Sequence, residues 1–415
     1  LLEYLKNREQ IHFHLLLAVT VSIPNFPFLL PMLIVVLGIN WIFQLIITKG
    51  KFQFSKLQAF LIAFYVFNLL GMLFTDEVNM KRGWFDLEIK LSILLLPLYF
   101  SGFQTLDNKK LKTLIKVFVL STAFAGIWHF SRSSYLYLNE LENIYVFYGD
   151  GFTNPLHIGY FALYLNVAIF FALFLFQNTS KLRTKIIWLL AACILVFSLF
   201  LSSSKAGIIS FIIVFILYGF YMLLLSKSSI NKKSFALAFT FISILFALFF
   251  SGNSKTLLRF KTAVNQITET QISPNSEGSS QARIFAFKTS IQIISNNFWV
   301  GTGTGNIDVE TLKNYEENNY TGALKRKLNA HNQFLQTFGA LGLFGFLSLL
   351  LIFVSLWFSG VTQKNELIIF FATLCFLFAL SESFLETQAG IIFFTIFSLI
   401  LTSQKNNLDD SIFSS

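Results

Sequence analysis

The sequence predicts an all-α, polytopic membrane protein. Three observations predict it. Of 415 residues, 55% are hydrophobic and only 13% are charged, about half the share of a soluble domain. Aromatic residues make up 17%, with 53 phenylalanines, more apolar surface than a soluble core of this size can hide. The apolar residues also fall in long unbroken runs, not in the short alternating strands of a barrel. The same numbers exclude a disordered chain, and two cysteines exclude a disulfide scaffold. Cys193 and Cys375 both lie inside apolar runs and read as core- or lipid-facing residues.

A bilayer core of about 30 Å needs about 20 apolar residues per helix. On that ruler the chain offers about twelve transmembrane helices, near 11–24, 27–48, 56–75, 84–103, 111–130, 157–177, 184–201, 206–225, 234–251, 332–357, 365–381 and 390–403. The first is short, and Pro24-Asn25-Phe26-Pro27 separates it from the second as a turn. No cleavable signal-peptide pattern is evident in the sequence.

The net charge of +10 does not point to nucleic acid. With the N-terminus inside, Lys and Arg cluster on the cytoplasmic segments: Lys6 and Arg8, Lys49 to Lys56, Lys109 to Lys112, Lys181 to Lys185, Lys227 to Lys233, Lys364 and Lys405. The opposite loops are poorer. Segment 131–156 sets Arg132 against Glu140, Glu142 and Asp150, and 382–389 carries only Glu382 and Glu386. Both termini are therefore expected in the cytoplasm. The chain divides into helices one to nine (1–251), a large periplasmic loop with surface helices (252–331), and helices ten to twelve with a cytoplasmic tail (332–415). A loop this long is functional or disordered. Within it, 271–281 reads as a mobile linker. Segment 281–298 reads as a helix whose Ile284, Phe287, Ile291 and Ile294 stripe lies on the membrane surface or on the bundle. Loop 131–156 has room for a small helix.

Charges near a bilayer are costly, so each is a functional candidate. Lys205 follows Ser202-Ser203-Ser204 between helices seven and eight. Its ammonium, the Ser204 hydroxyl and the N-terminus of the next helix together suit an anion; a snorkelling Lys in a tight turn is the plainer alternative. Arg283 opens the 281–298 helix, where its fork of donors suits phosphate; otherwise it is a solvated loop residue. Gly301-Thr302-Gly303-Thr304-Gly305-Asn306 lacks the ending and setting of a nucleotide loop. It reads as a flexible turn that folds the loop over a site.

His331-Asn332 stands where the loop re-enters the membrane, with Gln333 and Gln336 on the first turns. Gly339, Gly342 and Gly345 follow as a small-residue stripe for close helix packing. A histidine titrating near neutrality can take a proton from a sugar hydroxyl, although a lone histidine is more often structural. Glu382 and Glu386 are spaced i, i+4. Glu382 is placed to pair with Lys205 or Arg283 or to orient the histidine; the alternative is an ordinary acidic loop. Asp86, Glu88 and Lys90 read as a structural ion-pair network, and His12, His14, His129 and His157 as isolated residues. No metal-ligand spacing is present, and no cofactor is expected.

These stretches resemble the O-antigen ligase/O-antigen polymerase superfamily of bacterial membrane glycosyltransferases. The resemblance rests on Ser203-Ser204-Lys205-Ala206-Gly207, the run from Arg283 to Asn306, His331-Asn332-Gln333-Phe334-Leu335-Gln336 with Gly339 to Gly345, and Glu382 to Gly390. Glu88-Ile89-Lys90-Leu91-Ser92-Ile93-Leu94-Leu95-Leu96-Pro97 is similar to the family's fourth helix. The resemblance implies a donor glycan on undecaprenyl diphosphate, a lipid or sugar acceptor with a hydroxyl, and a periplasmic active site in the inner membrane. It also implies metal-independent transfer, and direct displacement of the diphosphate without a covalent intermediate would make that transfer inverting. Arg283 then matches the arginine that holds the diphosphate and His331 the proposed base, with Lys205 and Ser204 on the diphosphate and Glu382, Asn332 and Gln336 in support. Lys205 stands where many members carry Arg, which keeps the charge but loses the bidentate fork. Ligase is the leading expectation for lipopolysaccharide biosynthesis, with a polymerase joining lipid-linked repeats as the alternative. From other classes, a transporter or flippase predicts internal repeats that the sequence does not display, and a structural scaffold leaves the charged residues unexplained.

Overall fold

The computed structural model describes residues 2–48, 53–102, 106–225, 255–268, 274–275 and 279–403, with a few helical positions between 236 and 247. Among these residues every regular element is helical. The helices of the first part are α1 (Leu2–Asn25), α2 (Leu30–Thr48), α3 (Lys56–Leu70), α4 (Met80–Ser101), α5 (Asn108–Leu138), α6 (Ile158–Gln177), α7 (Leu182–Ser202) and α8 (Lys205–Phe220). The segment after them carries α9 (Lys255–Thr268), α10 (Ser279–Asn296) and α11 (Ile307–Glu317). The chain returns through α12 (Gln333–Thr362), α13 (Glu366–Ala379) and α14 (Gln388–Thr402).

Local chemistry sets many of the boundaries. Ser55 and Gln58 form a reciprocal capping box that starts α3. The Asp107 carboxylate accepts from Lys110 N–H at 2.6 Å and starts α5. The expected turn at 24–27 is present: α1 ends at Asn25, and a 3-10 turn opens on Pro27.

Each expected membrane segment is helical except the one near 234–251, most of which lies outside the described residues. Five stretches among the described residues are long and apolar enough to cross a bilayer: Lys56–Phe74, Asn108–Leu138, Ile158–Gln177, Leu182–Ser202 and Gln333–Thr362. Five rather than twelve meet that measure, for physical reasons. α4 is long but carries Lys81, Arg82, Asp86, Glu88 and Lys90, while α13 and α14 have 14 and 15 residues. α5 also runs eight residues past its expected end, taking up the start of the 131–156 loop. The rest of that loop holds two short helical turns, Ile144–Phe147 and Asp150–Thr153.

α6 is apolar on all sides and buried along nearly its whole length, so it forms the axis of the bundle. α5, α7, α8 and α13 surround it. α3 packs on α4 and α12, and α14 on α4. One cluster of buried apolar side chains runs from Leu16 to Leu401, so the parts at 1–251 and 332–415 share a single core. Trp128, Phe220, Phe344 and Val361 stay exposed on the outside, the pattern of a lipid-facing surface.

The described residues of 255–332 include a folded part. Phe285, Ala286, Tyr315 and Ala323 form a small second core, and Tyr315 Oη donates to Leu328 O at 3.1 Å. Of the expected linker 271–281, residues 279–281 are already the first turn of α10, and Pro274 O accepts from Gly322 N–H at 3.2 Å. Residues 271–273 and 276–278 lie outside the described residues. α10 packs on α12, where Ile293 approaches Gly339; Ala282, Ala286 and Thr289 are buried, while Ile291 of the expected stripe is 60% exposed, the membrane-surface alternative of that expectation.

The glycine-rich stretch at 301–306 is a clamp rather than a flexible turn. Thr302 and Gly303 N–H donate to Gly339 and Ala340 carbonyls of α12, both at 2.9 Å. Thr304 Oγ1 donates to Asn68 O of α3 at 2.6 Å, and Gly305 N–H to Thr75 Oγ1 at 3.1 Å. The Asn306 amide bonds Phe74, Asp76, Asn79 and Thr302. Gly303 has φ +99, and a Cβ there would stand 2.6 Å from Phe74 O. Gly342 breaks the regularity of α12 at φ 66 and ψ −163, where a Cβ would overlap the Trp299 carbonyl. Gly342 therefore admits the loop backbone, whereas Gly339 faces Ile307 and Ile293 of the neighbouring helices, as close helix packing requires.

Candidate active site

α12 starts at Gln333 because the Asn332 side chain accepts from Leu335 N–H at 3.1 Å. The same amide donates to Leu380 O at 3.1 Å and ties the start of α12 to the end of α13. His331, just before the cap, has a left-handed backbone at φ 45, and its N–H donates to Asn329 Oδ1 at 3.0 Å. A bulky residue holds this conformation only when its surroundings enforce it.

The imidazole meets the connection between α13 and α14. His331 Nδ1 lies 3.0 Å from Glu382 Oε2, and Arg283 Nη2 lies 2.7 Å from the other oxygen, Oε1. One carboxylate, its side chain 13% exposed, thus joins the loop arginine to the histidine. Burial alone would raise the Glu382 carboxyl. The His331 hydrogen bond and the Arg283 and His331 charges outweigh it and hold the group below the usual carboxylate range. Pairing with Arg283 and orienting the histidine, expected as alternatives for Glu382, occur together.

His331 opens onto a cavity of about 620 Å³ between α3, α4, α11 and α12. Arg82, Arg326 and Lys327 lie on its lining, with Asp86, Lys90 and Glu386. The Gln336 side chain accepts from Ala330 N–H at 3.1 Å and donates to Asp308 Oδ1 at 3.3 Å. Burial and the Glu386 charge push the Asp308 carboxyl up, against Lys90, Arg82 and the Gln336 hydrogen bond.

Sequence reasoning missed the wall of this cavity. Lys90 Nζ lies 2.6 Å from both Asp86 Oδ2 and Glu386 Oε2. Gln333 Nε2 donates to Glu386 Oε1 at 2.7 Å, while its Oε1 accepts from Leu385 N–H at 2.7 Å. The i, i+4 spacing of Asp86 and Lys90 signalled the first contact. Glu88, grouped with them from sequence, is exposed.

Lys205 and Ser204 sit apart from His331. Ser204 Oγ accepts from Gly207 N–H at 3.2 Å and caps α8. Lys205 Nζ donates to Ser280 Oγ at 3.1 Å, one helical turn before Arg283 on α10. Lys205 lines a second cavity, of about 750 Å³, bounded by segment 142–154. Of the other histidines, His12 hydrogen-bonds Tyr99, His14 bonds Gln10 O, His129 is buried against Phe152 and Phe161, and His157 caps α6. Among the described residues no group of three His, Cys, Asp or Glu is arranged to hold a metal ion.

Two comparisons bear on this geometry. No curated protein matches the chain. Residues 190–350 match the family model described as O-antigen ligase, a stretch that includes Lys205, Arg283 and His331 and stops short of Glu382. Over 190–350 the chain is therefore similar to the O-antigen ligase family, in agreement with the resemblance carried by the motifs around Lys205, Arg283 and His331.

Proposed function

We propose that this protein is an O-antigen ligase-like glycosyltransferase of the bacterial inner membrane. It moves a glycan from undecaprenyl diphosphate to a hydroxyl of a lipid A–core acceptor at the periplasmic face. Ionised Glu382 accepts from His331 Nδ1–H, which leaves Nε2 as the proton acceptor. The acceptor hydroxyl gives its proton to Nε2, and its oxygen attacks the anomeric carbon. The anomeric C–O bond breaks, and its electron pair leaves with the diphosphate, so the anomeric centre inverts. Arg283, with Lys205 alongside α10, stabilises the charge that grows on that leaving group. No metal is asked of the mechanism, since these side chains supply both proton removal and anion stabilisation.

The observation that carries the reading is the single buried carboxylate shared by His331 and Arg283. A base oriented by an acid beside a phosphate-binding cation is what displacement from a diphosphate needs. A deletion strain complemented in turn with wild type and Arg283→Ala tests it. Wild type restores attached surface polysaccharide, and Arg283→Ala, expressed to the same level, does not. Normal polysaccharide with Arg283→Ala would overturn the assignment. In the deletion strain, loss of all attached glycan indicates a ligase, whereas capping by a single repeat indicates the polymerase alternative.

A further inference from the structure

The 750 Å³ cavity beside Lys205 has no part in the proton transfer at His331. Its volume lies within the range of roughly 300–1,000 Å³ usual for small-molecule sites. Its lining combines tyrosine rings at 145 and 148, the Asp150 carboxylate, the Asn154 amide and the cations Arg132 and Lys205. Ring faces cover the apolar faces of sugars, while carboxylate and amide groups exchange hydrogen bonds with hydroxyls. The loop is held in place from behind: Arg132 Nη1 donates to Gly151 O at 3.1 Å, Ser133 Oγ to Val146 O at 2.9 Å, and Gly149 N–H to Leu201 O at 3.1 Å. The site is thus built on the ends of α5 and α7.

Its position gives the direction of the ligand. Lys205 is shared between this cavity and Ser280 of α10, and Arg283 lies one turn further along the same helix. A diphosphate held near Arg283 and Lys205 leaves its sugars within reach of this cavity, while the attacking hydroxyl enters from the other, onto which His331 opens, and meets the anomeric carbon on the face opposite the diphosphate. We propose that the cavity lined by Tyr145, Tyr148 and Asp150 binds the carbohydrate of the donor and selects it, apart from the acceptor cavity. The identity of that carbohydrate as the donor's rests on the glycosyltransferase reading.

The test uses the full-length protein in detergent and two readouts. The probe for binding is the oligosaccharide repeat unit released by mild acid from the source strain's own lipid-linked donor. Wild type and His331→Ala bind it alike, and Tyr148→Ala and Asp150→Asn weaken binding at least tenfold, on the scale of one or two lost contacts (about tenfold per 1.4 kcal/mol). Tyr148→Phe keeps the ring and retains most of the affinity, separating a sugar contact from a folding defect. In transfer assays Tyr148→Ala raises the donor KM and leaves the acceptor KM unchanged. Wild-type affinity in both Tyr148→Ala and Asp150→Asn, no binding by wild type, or a rise in acceptor KM instead would each overturn the proposal. Binding that persists without any transfer would refute the glycosyltransferase reading while leaving a carbohydrate site.

Discussion

Glu382 stands between two groups with different tasks, and its ionisation links them. Its folded carboxyl is held below the ordinary value, so its contribution to stability is complete above that value and is lost as pH falls through the lower folded one. Glu382→Gln lacks that contribution. Wild type is therefore more heat-stable than Glu382→Gln at neutral pH, and the gap in Tm holds down to the ordinary carboxyl range of about pH 4 and closes below it. A thermal-unfolding series across pH checks this; a gap that widens in acid would contradict the placement of the charge. His331 and Glu382 drew attention in the sequence as titratable residues at the edge of apolar runs, and Arg283 as the cation opening the 281–298 helix in the run that carries the family resemblance. The Lys90–Glu386 contact was not, since 296 residues separate the partners and only the fold joins them. Ser204 looked like a ligand from sequence, but hydroxyls at this position also cap helices, and here the cap is made.

At the scale of elements, the 301–306 clamp fixes the site's geometry. It ties the loop to α3 and α12, and α12 begins two residues after His331. Gly342 admits the Trp299 carbonyl at a positive φ that L side chains rarely adopt. Gly342→Ala should destabilise the protein by about 1–3 kcal/mol from backbone strain, and more if the loop must move. The lowered Tm would come with a fall in transfer, because His331 shifts with α12. Unchanged stability in Gly342→Ala would mean that the loop does not press on this helix. The helices themselves were legible from apolar run length, which is the dominant signal in a bilayer. The buried side of α10 was not, because Ala282, Ala286 and Thr289 contribute little hydropathy and are covered only in the fold. The glycine run was misread for a related reason: glycine permits both a hinge and a tight backbone contact, and only the partners decide.

The whole molecule is a helical bundle with its chemistry gathered at one end. α6 supplies a buried axis, and the ends of α3, α4, α8, α12, α13 and α14 meet the described residues of 279–332 there. Dividing the chain by its long loop left unseen the single core that its two helical parts share, since core membership depends on long-range packing. One cavity is lined by Lys205, which bonds Ser280 of α10, and the other by His331, which bonds Glu382; on the proposed reading they would give two substrates separate approaches. A transporter would use such hollows to pass one substrate through, whereas an enzyme joins what enters them. Purified protein in lipid vesicles, supplied with the lipid-linked glycan donor and a lipid A–core acceptor, separates the two. The account predicts glycan transfer by wild type and a loss of about 10²–10⁴-fold in His331→Ala, the usual contribution of a general base. Transfer at the wild-type rate by His331→Ala, or movement of the donor across the bilayer with no transfer by wild type, would contradict it.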